Sequence, residues 1–239
     1  MLSIIIPTLN EEKYLPLLLD SIKKQDFKDY EIIVADAGSE DRTVEIAKQA
    51  GCAVIKGGMP AKGRNEGVKA AKGDLLLFLD ADIILPKGFL EKVISEVKEK
   101  NISIGTFPII LHPAKKFDKL ISKFYNIVTD LTKGFLAHAA GGVLLATKKI
   151  HEKINGFDES ILLAEDYDYA RRAQKFVRFE FLKTSPVFYS NRRFKKEGYV
   201  KSCIKYVLIE LYIIFFGPIR SDIFNYKFSH YENKGETKK

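Results

Sequence analysis

The sequence predicts an α/β fold, in which helices flank a doubly wound, mostly parallel sheet and a helical extension follows at the C-terminus. Three observations support this prediction. Short apolar runs alternate with amphipathic helical stretches, the runs are continuously apolar, and polar residues follow several of them directly. Because helices cover both faces of a parallel sheet, its strands need continuous rather than alternating apolarity.

The predicted elements succeed one another in the order β-α-β-α-β-α-β, which is typical of βαβ units. The predicted strands are Leu2–Ile6, Glu31–Ala35, Ala53–Ile55 and Leu75–Leu79. The predicted helices are 12–24, a segment from Val44 that Gly51 ends, 62–72 and 89–100. Ligands of such sheets bind outside the carboxyl ends of the strands, so the polar loops there are expected to converge on one edge.

The composition sets the class of protein. At 239 residues, 46% hydrophobic and 29% charged, the chain is globular rather than disordered. Two distant cysteines supply neither a disulfide framework nor paired zinc ligands. The first residues lack the basic and apolar regions of a signal peptide, so we expect a cytoplasmic protein, located at the inner face of the cell membrane if its C-terminal third contacts lipid. We expect one domain over 1–195, a helical segment over 196–231 and a disordered tail over 232–239.

Two carboxylates follow the fourth predicted strand, in Asp80-Ala-Asp82. On an extended segment, residues two apart point to the same side, so Asp80 and Asp82 are expected to lie together. Two like charges need a cation, and Mg²⁺ or Mn²⁺ takes carboxylate oxygens readily. Such an ion also binds a diphosphate, which makes this pair the centre of the predicted site.

Polar residues follow the first two predicted strands as well. Asp36 could accept hydrogen bonds from a ribose or a base, or it could hold a turn at Gly38-Ser39, and the sequence favours neither. Asn10-Glu11 could contact a nucleotide or cap the following helix.

Two further segments leave two interpretations open. Arg64, near a predicted helix start, could bind a base or a phosphate, although in isolation a solvated surface position is favoured. Glu165-Asp166 begins a predicted helix whose last turn is basic. These acids could simply complement the helix dipole, or Asp166 could act as a general base.

Taken together, these segments resemble glycosyltransferase family 2, a large family of inverting nucleotide-sugar enzymes with the GT-A fold, over residues 2–175. Each segment is weak evidence alone, but seven of them occur in the order of the family. The segments are 4–11, 36–43, 63–67 with 71–73, 78–82, 141–142, 156–159 and 165–166.

The resemblance implies a role for each matching position. Asp80 and Asp82 would hold Mg²⁺ or Mn²⁺, Asp166 would be the catalytic base, and Gly141-Gly142 would pass close to the sugar. The residues implied to bind the nucleotide-sugar are Pro7, Thr8, Asn10, Glu11, Asp36, Arg64, Asp80, Ala81, Gly142, Glu165, Arg192 and Arg193.

The sequence departs from the commonest family pattern in two places. Asp36-Ala37 stands where many relatives have paired acids, which leaves the preferred base open. No Gln-x-x-Arg-Trp motif follows Glu165-Asp166, which argues against a processive polymerase. Instead, 190–194 resembles a Ser-x-Arg-Arg element of small members, whose arginines could bind the donor diphosphate.

The C-terminal third differs in charge from the rest. The chain has a net charge of +8, yet residues 171–239 have 16 lysines and arginines against 6 acids. Next to this charge lies an aromatic and β-branched segment, Tyr199–Phe216, which is short for a transmembrane span. A helix in the membrane interface is the favoured interpretation, and packing on the core or on a second copy in a homodimer are the alternatives.

The expected partners are a nucleotide-sugar donor and an acceptor that is either a hydroxyl compound or lipid-linked. A nucleotidyltransferase is discounted because the loop after the first strand lacks glycine and cations. A non-catalytic nucleotide-binding or membrane-associated scaffold on the same fold is the main alternative. No nucleic-acid partner is expected, since no recognised motif accompanies the basic region.

Overall fold

The structure is a computed structural model that describes residues 1–139 and 142–226. Its strands are β1 Leu2–Thr8, β2 Tyr30–Asp36, β3 Ala53–Lys56, β4 Leu75–Leu79, β5 Ile83–Ile84, β6 Ile104–Thr106, β7 Ile109–His112, β8 Val143–Thr147, β9 Glu180–Phe181 and β10 Val187–Ser190. Its helices are α1 Leu15–Lys23, α2 Thr43–Gln49, α3 Pro60–Ala70, α4 Phe89–Lys100, α5 Lys116–Thr132, α6 Lys148–Lys153, α7 Glu165–Gln174, α8 Arg192–Glu197 and α9 Tyr199–Phe216.

The main sheet has the strand order β3-β2-β1-β4-β8-β6-β9. Strands β1 to β4 run parallel to one another, and β6 runs parallel to β9. Strand β8 is antiparallel to both of its neighbours, β4 and β6. The predicted α/β fold with a mostly parallel sheet is therefore confirmed.

Helices cover both faces of this sheet, as β1 illustrates. Ile4 and Ile6 enter one apolar cluster with α1 and α4, whereas Ile5 enters the other with α3 and α7. Successive side chains of a strand point to opposite faces, so a strand covered on both sides needs an apolar residue at every position. This explains the apolar run at the start of the chain, which only Ser3 interrupts; its buried hydroxyl donates to Glu31 and accepts from the Gly73 N–H.

Strand β3 corrects one expectation. The run at Ala53–Ile55 predicted a strand buried on both faces, but β3 is the edge of the sheet and Ala53 and Lys56 are exposed. Cys52 beside it is half-buried, and like Cys203 it is a free cysteine. A short apolar run does not distinguish an edge strand from a central one.

Two helix starts also differ from the prediction. Helix α1 begins at Leu15 rather than at residue 12, because residues 12–14 form a turn and Pro16 lies in the first helical turn, where its missing N–H costs nothing. Helix α3 begins at Pro60 rather than at residue 62 for the same reason.

A second, three-stranded sheet with the order β5-β10-β7 was not predicted. Strand β10 pairs antiparallel with β5, placing Tyr189 opposite Ile83, and parallel with β7. In addition, the backbone N–H of Ser190 donates a hydrogen bond to the carbonyl oxygen of Asp82 at 3.2 Å. This pairing brings the Ser190–Phe194 element to the end of β4.

The C-terminal segment forms the single helix α9 over Tyr199–Phe216. Within the described part of the chain, no helix combines the length and the apolar content needed to cross a membrane. The expected division at residue 195 falls inside α8, and the expected tail at 232–239 lies outside the described residues, so the domain division stays a prediction.

Candidate active site

The loops after β1, β2 and β4 meet at one edge of the main sheet, as the strand order predicts. Asp36, the last residue of β2, organises two of them. Its carboxylate accepts hydrogen bonds from Thr8 Oγ1 at 2.9 Å, from the Gly38 N–H at 3.0 Å, and from the backbone and hydroxyl of Ser39 at 2.8 and 2.6 Å. In this structure Asp36 therefore holds the turn, which is one of its two predicted roles, and a contact with a base stays a prediction.

Asn10 ties the first loop to the second. Its backbone is in the left-handed region (φ 55°), its N–H donates to Ser39 Oγ at 2.8 Å, and its side-chain oxygen accepts from the Glu40 N–H at 2.9 Å. It does not cap α1, whose start has no side-chain hydrogen bond. The capping interpretation of Asn10 is therefore wrong.

Arg64 of α3 lies at the centre of the site rather than on a solvated surface. Its side chain is buried and pairs with Asp80 Oδ1 at 2.9 Å and with Glu165 Oε1. The guanidinium also lies over the ring of Phe157, 5.5 Å from its centroid. The surface interpretation fails because α3 turns this residue toward the strand ends, where two carboxylates compensate its charge.

Asp82 pairs with a different arginine. Arg192 Nε lies 2.9 Å from Asp82 Oδ2, and the two terminal nitrogens of Arg192 donate to both carboxylate oxygens of Glu11 at 2.9 and 2.7 Å. The same guanidinium lies 4.5 Å from the centre of the Tyr14 ring. Arg192 thus links the loop after β1 to the loop after β4.

The expected conformation of Asp80-Ala-Asp82 is wrong. The segment is a turn, with a 3.3 Å hydrogen bond from the Ile83 N–H to the Asp80 carbonyl, and not an extended strand. Asp80 therefore faces Arg64 while Asp82 faces Arg192, and Ala81 between them is buried.

Gly142 connects Asp80 to Asp166. Its carbonyl accepts from the Asp80 N–H at 3.1 Å, and its N–H donates to Asp166 Oδ2 at 3.3 Å. Its φ of +78° is a conformation that favours glycine. The neighbouring Gly141, implied with it to lie near the sugar, is outside the described residues.

Asp166 and Glu165 occupy the first turn of α7 and both are buried. Asp166 Oδ1 also accepts from the Tyr167 N–H at 3.0 Å. Acids in the first turn and Arg171 and Arg172 in the last turn fit the helix-dipole interpretation. Burial beside Asp80 equally fits a chemical role, so both interpretations remain.

Burial changes the acidity of these groups. It raises the pKa of Asp80 and of Asp82 to about 6 each, and together with the charge of Glu165 it raises the pKa of Asp166 to about 7. Burial also raises the pKa of Glu11. Four of the five carboxyls in the cluster share two arginines, Arg64 and Arg192, so the carboxyls outnumber the arginines that pair with them.

This excess of carboxylate oxygen suits a divalent cation in charge and in donor type. Among residues 1–139 and 142–226, however, no three His, Cys, Asp or Glu side chains are already arranged as a ligand set. Asp82 would have to release Arg192 before it could contact an ion. The residues thus fit a bound metal only after this rearrangement.

A cleft of about 750 Å³ opens beside Asp82. Basic and aromatic side chains form much of its wall. They include Lys13, Tyr14, His112, Arg192 and Lys195. Arg193, the second arginine of the predicted pair, stacks on a tyrosine: its guanidinium carbon lies 3.8 Å from the centre of the Tyr226 ring, and its charge also acts on Asp82.

The sequence analysis missed several tyrosines around the site. Tyr14 stacks on Arg192, Tyr226 on Arg193, and Tyr125 of α5 lies close enough to Asp166 for that charge to act on its hydroxyl. Tyr14 follows the first loop of the site directly, but no family segment includes it, whereas Tyr125 and Tyr226 reach the site from parts of the chain distant from the family segments.

Comparison with known proteins identifies the family and the fold. The family described as Glycosyl transferase family 2 matches residues 3–154. An uncharacterised glycosyltransferase of Haemophilus influenzae is 34% identical over 183 residues, which cover 71% of this chain and 60% of that protein. The poly(ribitol-phosphate) beta-N-acetylglucosaminyltransferase TarS of Staphylococcus aureus is 33% identical over 112 residues, covering 43% of this chain and 20% of that protein.

Solved structures support the fold at lower identity. S. aureus TarS 1-349 in complex with UDP-GlcNAc has a TM-score of 0.66 at 21% identity, covering 79% of this chain and 58% of that one. The mannosyltransferase PcManGT from Pyrobaculum calidifontis, in complex with GDP-Man and Mn²⁺, has a TM-score of 0.66 at 19% identity, covering 86% of this chain and 64% of that one.

Proposed function

The chain belongs to glycosyl transferase family 2, and from this premise we propose that it moves a sugar, with inversion, from a nucleotide-diphospho-sugar to a hydroxyl or lipid-phosphate acceptor. The observation that supports this best is the link between Asp80 and Asp166 through the backbone of Gly142. This link places the buried Asp166 carboxyl, which could accept a proton, beside Asp80 of the pair that is expected to face the donor.

Nucleotide-sugars are the proposed donors. The similar structures were solved with UDP-GlcNAc in one case and with GDP-Man and Mn²⁺ in the other. In this chain Asp80 and Asp82 would hold Mg²⁺ or Mn²⁺, which when bound would neutralise charge on the departing nucleoside diphosphate. Pro7, Thr8, Asn10, Glu11 and Asp36 would line the nucleoside side of the site.

Asp166 is the proposed base. An acceptor hydroxyl would lose its proton to the Asp166 carboxylate while its oxygen bonds to the anomeric carbon, and the bond from that carbon to the diphosphate oxygen would break. A pKa near 7 suits this role, because the group can accept a proton at neutral pH and still lose it again.

The arginines have separate proposed tasks. Arg64 holds Glu165 and Asp80 in place, since its guanidinium contacts both. Arg192 would move from Asp82 and Glu11 to the donor diphosphate when the donor binds, because a guanidinium binds phosphate oxygens as well as it binds carboxylates.

Location and acceptor are also proposals. The exposed apolar residues of α9 and the basic C-terminal third support a cytoplasmic enzyme that contacts the inner face of the membrane through α9. A lipid-linked acceptor would agree with that location, and a homodimer through α9 is the alternative use of this helix.

A screen for hydrolysis of nucleotide-sugars tests the function, because many transferases slowly hydrolyse their donor in the absence of an acceptor. We expect release of the nucleoside diphosphate from one of the common UDP- or GDP-sugars with Mn²⁺, and none with EDTA. Asp166→Asn and wild type should bind the same donor in calorimetry. If no donor binds or is hydrolysed under any of these conditions, the proposal is wrong and the non-catalytic scaffold takes its place.

A further inference from the structure

Helix α5 has the reverse of the polarity expected for a helix at the surface of a protein in water. Its inward face is polar, with Asp118, Ser122 and Thr129 buried. Its outward face is apolar, and each member of that face is about half exposed or more. The outward residues are Phe117, Leu120, Phe124, Ile127 and Leu131.

Specific hydrogen bonds fix this orientation. Ser122 Oγ accepts from the Leu111 N–H at 2.9 Å, and the side chain of Asn126 bonds to both the N–H and the carbonyl of Ile109 at 2.9 Å. The polar face of α5 therefore satisfies the backbone of strand β7. Rotation of the helix to bury its apolar face would leave these groups unpaired, at a substantial free-energy cost.

Helix α9 continues the apolar surface. Tyr199 at its start donates to Asp118 at 2.8 Å, and its ring lies 5.5 Å from that of Phe117. The outward residues of α9 are about half exposed or more, with Phe215 and Phe216 at 74% and 76%. They are Val200, Ile204, Val207, Leu208, Leu211, Ile214, Phe215 and Phe216. We call these residues and the five outward residues of α5 the α5–α9 apolar surface.

Lysines border this surface. Lys116, Lys119 and Lys123 project from α5 beside its apolar face, and Lys195 and Lys201 lie at the start of the C-terminal helices; all five are exposed. Two copies of such a surface would bring like charges together, which disfavours self-association. Apolar side chains edged by lysines instead suit a bilayer with anionic head groups.

We propose that the α5–α9 apolar surface docks on an anionic lipid bilayer, with α5 inserting its phenylalanines and leucines alongside α9. This deepens the proposed function and rests on it, because docking would bring membrane lipids within reach of the enzyme as acceptors. Tyr125, on the inward side of α5, lies close enough to Asp166 for that charge to act on its hydroxyl, so the helix that carries the docked surface also reaches the proposed base.

Vesicle co-sedimentation of the full chain tests the proposal. The vesicles are phosphatidylcholine with or without phosphatidylglycerol, at low and high salt. We expect binding to the anionic vesicles that weakens with salt. Phe124→Ser/Leu131→Ser should reduce it about tenfold or more, since these side chains insert. Phe176→Ser is the matched control, because Phe176 is an exposed phenylalanine on another surface, facing Lys153, and should bind like wild type.

Three results would overturn the proposal. Wild type could remain in the supernatant with anionic vesicles at low salt, or the double variant could bind as wild type does. Alternatively, sedimentation velocity could show a dimer that the same double variant dissociates, which would make the surface an interface between copies. Donor hydrolysis measured without vesicles tests the proposed function separately from membrane docking. The double variant should hydrolyse the donor as fast as wild type does. If neither protein hydrolyses the donor, that result contradicts the transferase activity and not the docking.

Discussion

Gly142 lies so close to Asp80 that a methyl group added to its Cα would sit 2.0 Å from the carboxyl carbon of Asp80. No side chain fits at that distance, and the positive φ of Gly142 adds strain for any residue with a Cβ. The residue that precedes β8 and the turn that follows β4 can therefore lie this close together only because that residue is glycine.

Gly142→Ala should accordingly displace the Asp80 carboxylate and strain the turn. We expect the melting temperature to fall by several degrees, because overpacking and an unfavourable φ each cost about 1 kcal/mol or more. Affinity for Mn²⁺ with a nucleoside diphosphate should fall as well. Gly134→Ala is the control, since no atom lies within 4 Å of its added methyl group, and it should leave both measurements unchanged.

Asp82→Asn tests the metal. If Asp80 and Asp82 hold Mg²⁺ or Mn²⁺, wild type should bind a nucleoside diphosphate much more weakly in EDTA, and the variant should bind equally weakly with and without the ion. Isothermal calorimetry measures both. Asp20→Asn, at an exposed carboxylate that pairs with the exposed Lys24, should behave like wild type. An affinity of wild type that EDTA leaves unchanged would contradict the metal site.

Arg192→Ala tests whether this arginine occupies the place of an ion. Its removal leaves Glu11 and Asp82 without their partner, so the free energy of unfolding should fall by about 3 kcal/mol. Free Mn²⁺ should bind more tightly than to wild type, because the carboxylates no longer have a competing cation, whereas the nucleotide-sugar should bind less tightly.

Arg42→Ala is the control for that variant, since Arg42 is exposed and pairs with Glu45. It should change none of the three quantities. Should Arg192→Ala bind the donor as wild type does, Arg192 would be a structural link between two loops and not a diphosphate ligand.

The sequence was sufficient for the fold class and for the central strands of the main sheet, because these strands are covered on both faces. That burial forces continuous apolar runs at β1 and β4, and the polar residues that follow them mark the edge where ligands bind. The family segments added Asp166, which lies 86 residues after Asp80 along the chain. In the fold, the backbone of Gly142 is hydrogen-bonded to both residues.

Two features were beyond local patterns. Arg192 reaches Asp82 because β10 pairs with β5. These two strands are about a hundred residues apart in the sequence, and hydrophobic periodicity does not predict their pairing. The direction of the apolar face of α5 depends on hydrogen bonds to Ile109 and Leu111, which no local pattern in the sequence reveals. Tertiary pairing decided both.

Asp166→Asn separates the chemical interpretation of α7 from the structural one. As the base, Asp166 should be needed for transfer, so the rate should fall by about 10²- to 10⁴-fold. Donor affinity should survive, because the proposed nucleotide contacts lie elsewhere. Asp168→Asn, an acid in the same helical turn that pairs with Arg172, is the matched control and should retain transfer.

The pH dependence gives an independent readout. The pKa of Asp166 is about 7 in the folded protein and has its ordinary value near 4 when unfolded. Between these values the folded state binds a proton that the unfolded state has lost, so this group lowers stability progressively as pH rises from about 4 to about 7. The loss is complete above that window, and the wild-type transfer rate should rise through its upper end as Asp166 becomes a carboxylate.

Asparagine cannot titrate, so the free energy of unfolding of Asp166→Asn at pH 8 should exceed that of wild type by an amount on the order of 1 kcal/mol, and the variant should melt at a higher temperature. Both differences should shrink toward pH 4. The opposing loss of a favourable charge at a helix start is about 0.3–1 kcal/mol. It also applies only where Asp166 is ionised, so it reduces the difference at pH 8 and disappears toward pH 4. Thermal unfolding of both proteins across this pH range measures the balance. A variant that loses stability and donor binding together at pH 8 would show that Asp166 stabilises the start of α7 and that the base lies elsewhere.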